Sequence, residues 1–186
     1  DNIFGGKSQY KGSIGTAVLR VFDLTVACTG LNEKTLKRLK MPYEQVLIHP
    51  SQHAGYYPGA RRIDLKLLFH GQTGVILGAQ AVGVDGVDKR IDIIATAIKA
   101  GMTVRDLADL ELAYAPPFGS AKDAVNLAGM AASNILDKTV QQMDWPNALA
   151  AQSAGAIVLD VRSGAERKRG FVPDSLSIPL NELRDR

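Results

Sequence analysis

The stretch Ile63-Asp64-Leu65-Lys66-Leu67-Leu68-Phe69-His70-Gly71-Gln72-Thr73-Gly74-Val75-Ile76-Leu77-Gly78-Ala79-Gln80-Ala81-Val82 decides the fold class. Ile63 to Phe69 and Val75 to Val82 carry the residues and alternation of strands, and His70 to Gly74 is rich enough in turn residues to join them as an antiparallel hairpin. From Gly86 onward the period changes from two to near 3.6, with Val87, Ile91, Ile94 and Ile98 on one face and Gly101 as the stop. Strands therefore come as a run and helices follow, a pattern that predicts an α+β fold, an antiparallel sheet packed with helices, rather than wound βαβ units.

Working outward towards the N-terminus, Thr16 to Phe22, Thr25 to Gly30 and Tyr43 to Ile48 read as further strands. Asn32 caps a short basic helix that ends near Lys40, before Pro42. Towards the C-terminus, Thr103 caps a short helix containing Val104, Leu107 and Leu110, and Ala124 to Leu136 forms another with Val125, Ala128, Ala132 and Ile135 on one stripe. Residues 1–138 read as one domain, 139–150 as a linker with Trp145 as an anchor, and 151–186 as the start of a second domain. In that last part Ala156 to Val161 reads as a buried strand, and the chain reaches Arg186 before such a domain completes its core.

Composition sets limits on function. The chain has 186 residues, 46% hydrophobic and 22% charged, enough to bury a core. No apolar run approaches the roughly 20 residues that cross a bilayer, and the first residues lack the basic flank and apolar centre of a signal peptide, so a cytoplasmic protein with no membrane partner is expected. The single cysteine, Cys28, excludes an internal disulfide; its apolar neighbours predict a buried, inert thiol. The formal charge of +3 is spread along the chain, and no nucleic-acid module accompanies it, so no nucleic-acid partner is expected.

Two loops hold the chemistry. Glu111-Leu112-Ala113-Tyr114-Ala115-Pro116-Pro117-Phe118-Gly119-Ser120-Ala121-Lys122-Asp123 lies between two helices, and its Pro-Pro pair lacks backbone donors and fixes two φ angles. Such a stiff loop can hold the Tyr114 phenol where it steadies a thiolate or oxyanion; its ring can equally pack on the core with the hydroxyl in water. His49-Pro50-Ser51-Gln52-His53-Ala54-Gly55-Tyr56-Tyr57-Pro58-Gly59 forms the second loop. His49 and His53 are four apart, but Pro50 spoils a shared helical face and spacing places no third ligand, so no metal is expected. Asp106, Asp109 and Glu111 read as alternating charge on an exposed helix. A dinucleotide Gly-x-Gly-x-x-Gly, a Walker loop, Gly-x-Ser-x-Gly and Cys-x-x-Cys are all absent.

Gly15-Thr16, Asp23 to Asn32, His53 to Gly59, Gly83 to Asp92 and Ala113 to Pro117 together resemble the C-terminal dimerisation domain of coenzyme A-disulfide reductases, over residues 1 to about 138. These are FAD- and NAD(P)H-dependent members of the pyridine nucleotide-disulfide oxidoreductases. The resemblance implies a homodimer in which this domain covers the partner's active site, where a cysteine beside the flavin forms a mixed disulfide with coenzyme A. It implies Tyr56 and Tyr114 as the catalytic pair, Tyr57, His53 and Lys122 against substrate, and Pro117 and Phe118 against cofactor. The FAD and NAD domains, with the reactive cysteine, would belong to the parent chain, and Cys28 does not take that role. The chain alone would hold no cofactor and be inactive, and two alternatives stay open: a non-catalytic dimerisation module, or part of an NADH oxidase or peroxidase relative.

Leu159-Asp160-Val161-Arg162, Glu166, Gly170-Phe171-Val172-Pro173, Ser177-Ile178-Pro179-Leu180, Leu183 and Arg186 resemble the opening of a rhodanese domain. The resemblance implies sulfur chemistry: reduction of CoA disulfide, CoA persulfide or polysulfide by a longer enzyme of which this is a piece.

Overall fold

Ile63, Leu65, Leu67 and Phe69, alternate residues of one strand, are all fully buried, each contributing roughly 1.5–3 kcal/mol by leaving water. They stand at the centre of the structure, a computed structural model that describes residues 2–185; Asp1 and Arg186, the last residue of the rhodanese-like motif, lie outside the described residues. The chain divides after Val140 into two compact units.

The first unit is built on a five-stranded sheet in the order β1-β2-β5-β4-β3, each neighbouring pair antiparallel. Its strands are β1 (Ala17–Val21), β2 (Leu24–Gly30), β3 (Glu44–Ile48), β4 (Ile63–Phe69) and β5 (Ile76–Gly83). The expected hairpin is β4-β5, pairing Leu65 with Ala81 and Leu67 with Ala79. Its turn uses His70, whose backbone N–H donates to the Val75 carbonyl at 2.9 Å and whose Nδ1 accepts from the Gln72 and Thr73 amides.

One face of the sheet carries α2 (Val87–Lys99) and α4 (Ala124–Leu136), with α3 (Val104–Asp109) packed on α4. Val87, Ile91, Ile94, Ala97, Val125, Ala128 and Ala132 join the strand residues in one core. Helix α1 (Glu33–Leu39) serves the other face, where Leu36 and Leu68 are buried and Lys66 Nζ donates to Glu33 Oε2 at 2.6 Å. Its N-cap is Asn32, as expected, accepting from the Thr35 amide.

Three readings are corrected. Cys28 is half-buried rather than buried: Ala27 and Ala81 face the core, and the strand's period of two turns Cys28 to the other face. Asp106 is not merely part of a solvated charge pattern; it completes a capping box with Thr103. Much of the expected linker is helical: α5 (Trp145–Ser153) starts at Trp145 with Asp144 as N-cap and Pro146 in the first turn, where a missing N–H costs nothing.

The second unit adds α6 (Gly164–Arg167) and a two-stranded parallel sheet of β6 (Leu159–Asp160) and β7 (Leu176–Ser177). The strand expected over Ala156 to Val161 is thus two residues long. Asp160, 9% exposed, accepts from Arg162 and Arg167, and the Arg167 guanidinium lies 4.1 Å from the centre of the Phe171 ring. Among the described residues no helix is long and apolar enough to cross a membrane.

Candidate functional site

The loop between β3 and β4 is closed at its base by polar contacts. Ser51 bridges Arg62, and the Gln52 amide donates to the Arg61 carbonyl at 2.9 Å. The Gln52 side chain works in both directions, its Oε1 accepting from the Arg61 amide and its Nε2 donating to the Gly59 carbonyl at 3.3 Å. Inside the loop, His53 is 8% exposed with Nδ1 3.0 Å from the Ala54 carbonyl; a carbonyl only accepts, so Nδ1 carries the proton. The His53 and Tyr57 rings meet edge to face at 5.6 Å. That packing holds Tyr57 and leaves Tyr56 pointing outward, 77% exposed.

The loop between α3 and α4 is pinned at both ends. Asn126 Nδ2 donates to the carbonyls of Leu107 and Leu110, at 3.0 and 2.9 Å, which closes the end of α3. Asp123 caps α4, accepting from the Val125 amide while Asn126 Oδ1 accepts from the Asp123 amide. Between these ends the Ala115 carbonyl accepts from the amides of Phe118 and Gly119, turning the chain after the two prolines. The two loops are stapled together where the Ala54 amide donates to the Gly119 carbonyl at 2.8 Å.

The result is a pair: Tyr56 Oη and Tyr114 Oη lie 3.1 Å apart, 58 residues apart in sequence. The hydrogen bond with Tyr56 holds the Tyr114 phenol above its ordinary pKa of 10, as expected when Tyr114 is the donor. Either hydroxyl can donate in this bond, and the one that accepts keeps its own proton for a third group. The pair can therefore offer a phenolic O–H to an anion such as a thiolate.

Pro117, Phe118 and Lys122 stand exposed on the second loop; among the described residues the Lys122 side chain makes no hydrogen bond or ion pair. His49 is drawn into a different cluster, with Asp64 at 2.5 Å and Arg62 at 2.7 Å, and so does not pair with His53. Sequence reasoning missed Gln52, Asn126 and above all Arg90, which is 2% exposed and reaches Asp123, Gln52 and Gly86. The signal for Arg90 was its place three residues after Val87, on the apolar stripe of α2, and the signal for Asn126 was its place three residues after a capping aspartate.

An antiparallel sheet packed with helices is the architecture of a known class. Residues 16–125 match the family described as pyridine nucleotide-disulphide oxidoreductase, dimerisation domain, and the chain belongs to that family. The reduced CoADR-RHD of Bacillus anthracis is 55% identical with a TM-score of 0.96, over 100% of this chain and 33% of its own. The NAD-dependent persulfide reductase of A. fulgidus is 39% identical with a TM-score of 0.88, over the same shares, 100% and 33%. A coenzyme A disulfide reductase of Staphylococcus haemolyticus is 38% identical over 126 residues, 68% of this chain. The chain spans 28% of the length of that curated relative. The family and relatives named from the sequence motifs are therefore the right ones: a dimerisation-domain segment related to CoA-disulfide reductases, followed by a rhodanese-like region.

Proposed function

We propose that this chain is the dimerisation and active-site-completing part of a homodimeric, FAD-dependent NAD(P)H:CoA-disulfide or CoA-persulfide reductase. The observation that carries the reading is the Tyr56–Tyr114 hydroxyl pair, 3.1 Å apart on two stapled loops and open to solvent. Its chemistry suits a departing sulfur anion, because the phenol pair offers a proton to charge that develops on the leaving sulfur. Similarity to CoADR-RHD and to a persulfide reductase, each matched over 100% of this chain, supports a sulfur substrate.

In this reading Tyr56 donates to the thiolate released when a CoA-linked disulfide or persulfide is cleaved in the partner's site, and Tyr114 holds Tyr56 in place. Tyr57 and the buried His53 line the approach, and Lys122 offers a positive charge to the phosphates of the coenzyme. Pro117 and Phe118, the latter 72% exposed, present an apolar tip suited to the face of a flavin ring. Reducing electrons are supplied by FAD and NAD(P)H bound by the rest of the full-length protein.

The test is kinetic. In the full-length enzyme Tyr56→Phe and Tyr114→Phe should each lower turnover of CoA disulfide and CoA persulfide by roughly tenfold or more, with anaerobic flavin reduction by NADH or NADPH unchanged. Unchanged turnover with both acceptors would refute the role, and oxygen consumption without any sulfur substrate would point to an oxidase relative.

A further inference from the structure

Arg90 occupies a core position of α2 with 2% of its surface exposed, and a guanidinium does not shed its proton. Its charge is therefore buried together with that of Asp123, 4% exposed. The two meet as a fork, Nε to Oδ1 at 3.1 Å and Nη2 to Oδ2 at 2.6 Å. Two further donors go to backbone: Nη1 to the Gly86 carbonyl at 3.0 Å and Nη2 to the Gln52 carbonyl at 2.5 Å. Room for this depends on Gly86, where a Cβ would sit 2.3 Å from Nη1 and where φ is +69°.

Three segments meet at this one side chain: the start of α2, the base of the Tyr56 loop and the start of α4, where the Tyr114 loop ends. Stability alone is a weak reason for such a pair, since apolar residues of the same volume commonly serve a core as well or better. What an apolar pair cannot do is fix two loops by directional bonds. Gln52, gripped through its carbonyl, uses its amide and side chain to hold Arg61 and Gly59, so the bond from Arg90 locates the whole turn that presents Tyr56. Asp123, gripped through its carboxylate, locates the last residue of the loop that presents Tyr114.

We propose that Arg90 is a positioning residue: by holding Gln52 and Asp123 it sets the spacing of the two loops and hence the hydroxyl contact between Tyr56 and Tyr114. The consequence for catalysis rests on the function proposed above for that pair.

The experiment uses the full-length enzyme with Arg90→Lys, which keeps the charge and loses the fork. Turnover of CoA disulfide should fall about tenfold with flavin reduction by NAD(P)H unchanged, and Arg90→Lys should add nothing further in a Tyr56→Phe, Tyr114→Phe background. A fall that adds in full in that background, or no fall at all where the tyrosine variants do fall, would overturn the proposal. An ultraviolet difference titration gives a readout independent of activity, with Tyr114→Phe identifying the Tyr114 signal. In Arg90→Lys the Tyr114 phenol should titrate earlier, towards pH 10, and an unmoved titration would overturn the proposal. If the tyrosine variants leave turnover unchanged, the proposed function fails and this titration alone decides the role of Arg90. Should Arg90→Lys not fold, Arg90→Met with Asp123→Asn removes both charges and keeps the α4 cap, and the same measurements apply.

Discussion

Gly129 of α4 lies so close to Ala108 of α3 that a Cβ on it would come within 2.5 Å of the Ala108 nitrogen, and within 2.7 Å of the Val104 carbonyl oxygen. The loop that presents Tyr114 is strung between these two helices, so their separation sets the distance between its ends. Gly129→Ala should push the helices apart and destabilise the chain by about 1–3 kcal/mol, measured by urea unfolding. A substitution within 0.5 kcal/mol of the parent would show that the contact is looser than drawn.

The paired phenols carry a signature at alkaline pH. Tyr114 titrates above its ordinary value of 10 because of the hydrogen bond with Tyr56. Its folded pKa is raised, so the stability linked to this group is fully present below pH 10 and is lost as pH rises through the folded value. Tyr56→Phe should bring Tyr114 back towards pH 10 in an ultraviolet titration; no change would mean that the pair does not form in solution.

Glu33 carries an acidic counterpart on the opposite face of the sheet. The hydrogen bond from Lys66 holds its carboxyl below the ordinary 4.5, with Tyr43 and Lys37 acting in the same direction and partial burial against them. Its contribution to stability is therefore present above pH 4.5 and lost as pH falls through the lower folded value. Lys66→Met should cost about 1 kcal/mol at neutral pH and nearly nothing in acid. Urea unfolding at both pH values tests this, and an equal cost at both would remove the ion pair as its cause.

Asp123 combines two roles, N-cap of α4 and counter-charge of Arg90. Asp123→Ala removes both and leaves a buried guanidinium unpaired, a loss of about 3–5 kcal/mol. Asp123→Asn keeps the cap and an acceptor oxygen and should cost distinctly less. Thermal unfolding of the two variants side by side checks the order, and equal losses would mean that the counter-charge alone matters.

Much of this architecture was legible in local pattern. The alternation of Ile63 to Phe69, the turn residues from His70 to Gly74 and the stripe through Val87, Ile91 and Ile94 each depend on neighbours a few residues away, and the structure reproduces them as β4, a hairpin turn and α2. The two tyrosine loops, and the family that they mark, were equally visible because glycines and prolines punctuate the chain wherever it is read.

What no local pattern carried were the relations between distant segments. The burial of Arg90 rests on Asp123, 33 residues away, and the hydroxyl contact of Tyr56 on Tyr114, 58 residues away. The half-exposure of Cys28 follows from which sheet face Ala27 takes against Ala81. Sequence alone therefore determined the strands and helices of the first unit, since backbone periodicity and turn preference are properties of short stretches. Only the tertiary structure decided that a buried guanidinium should tie two loops together and set two phenols within hydrogen-bond distance, because a charge is kept in a core only where folding brings its partners to it.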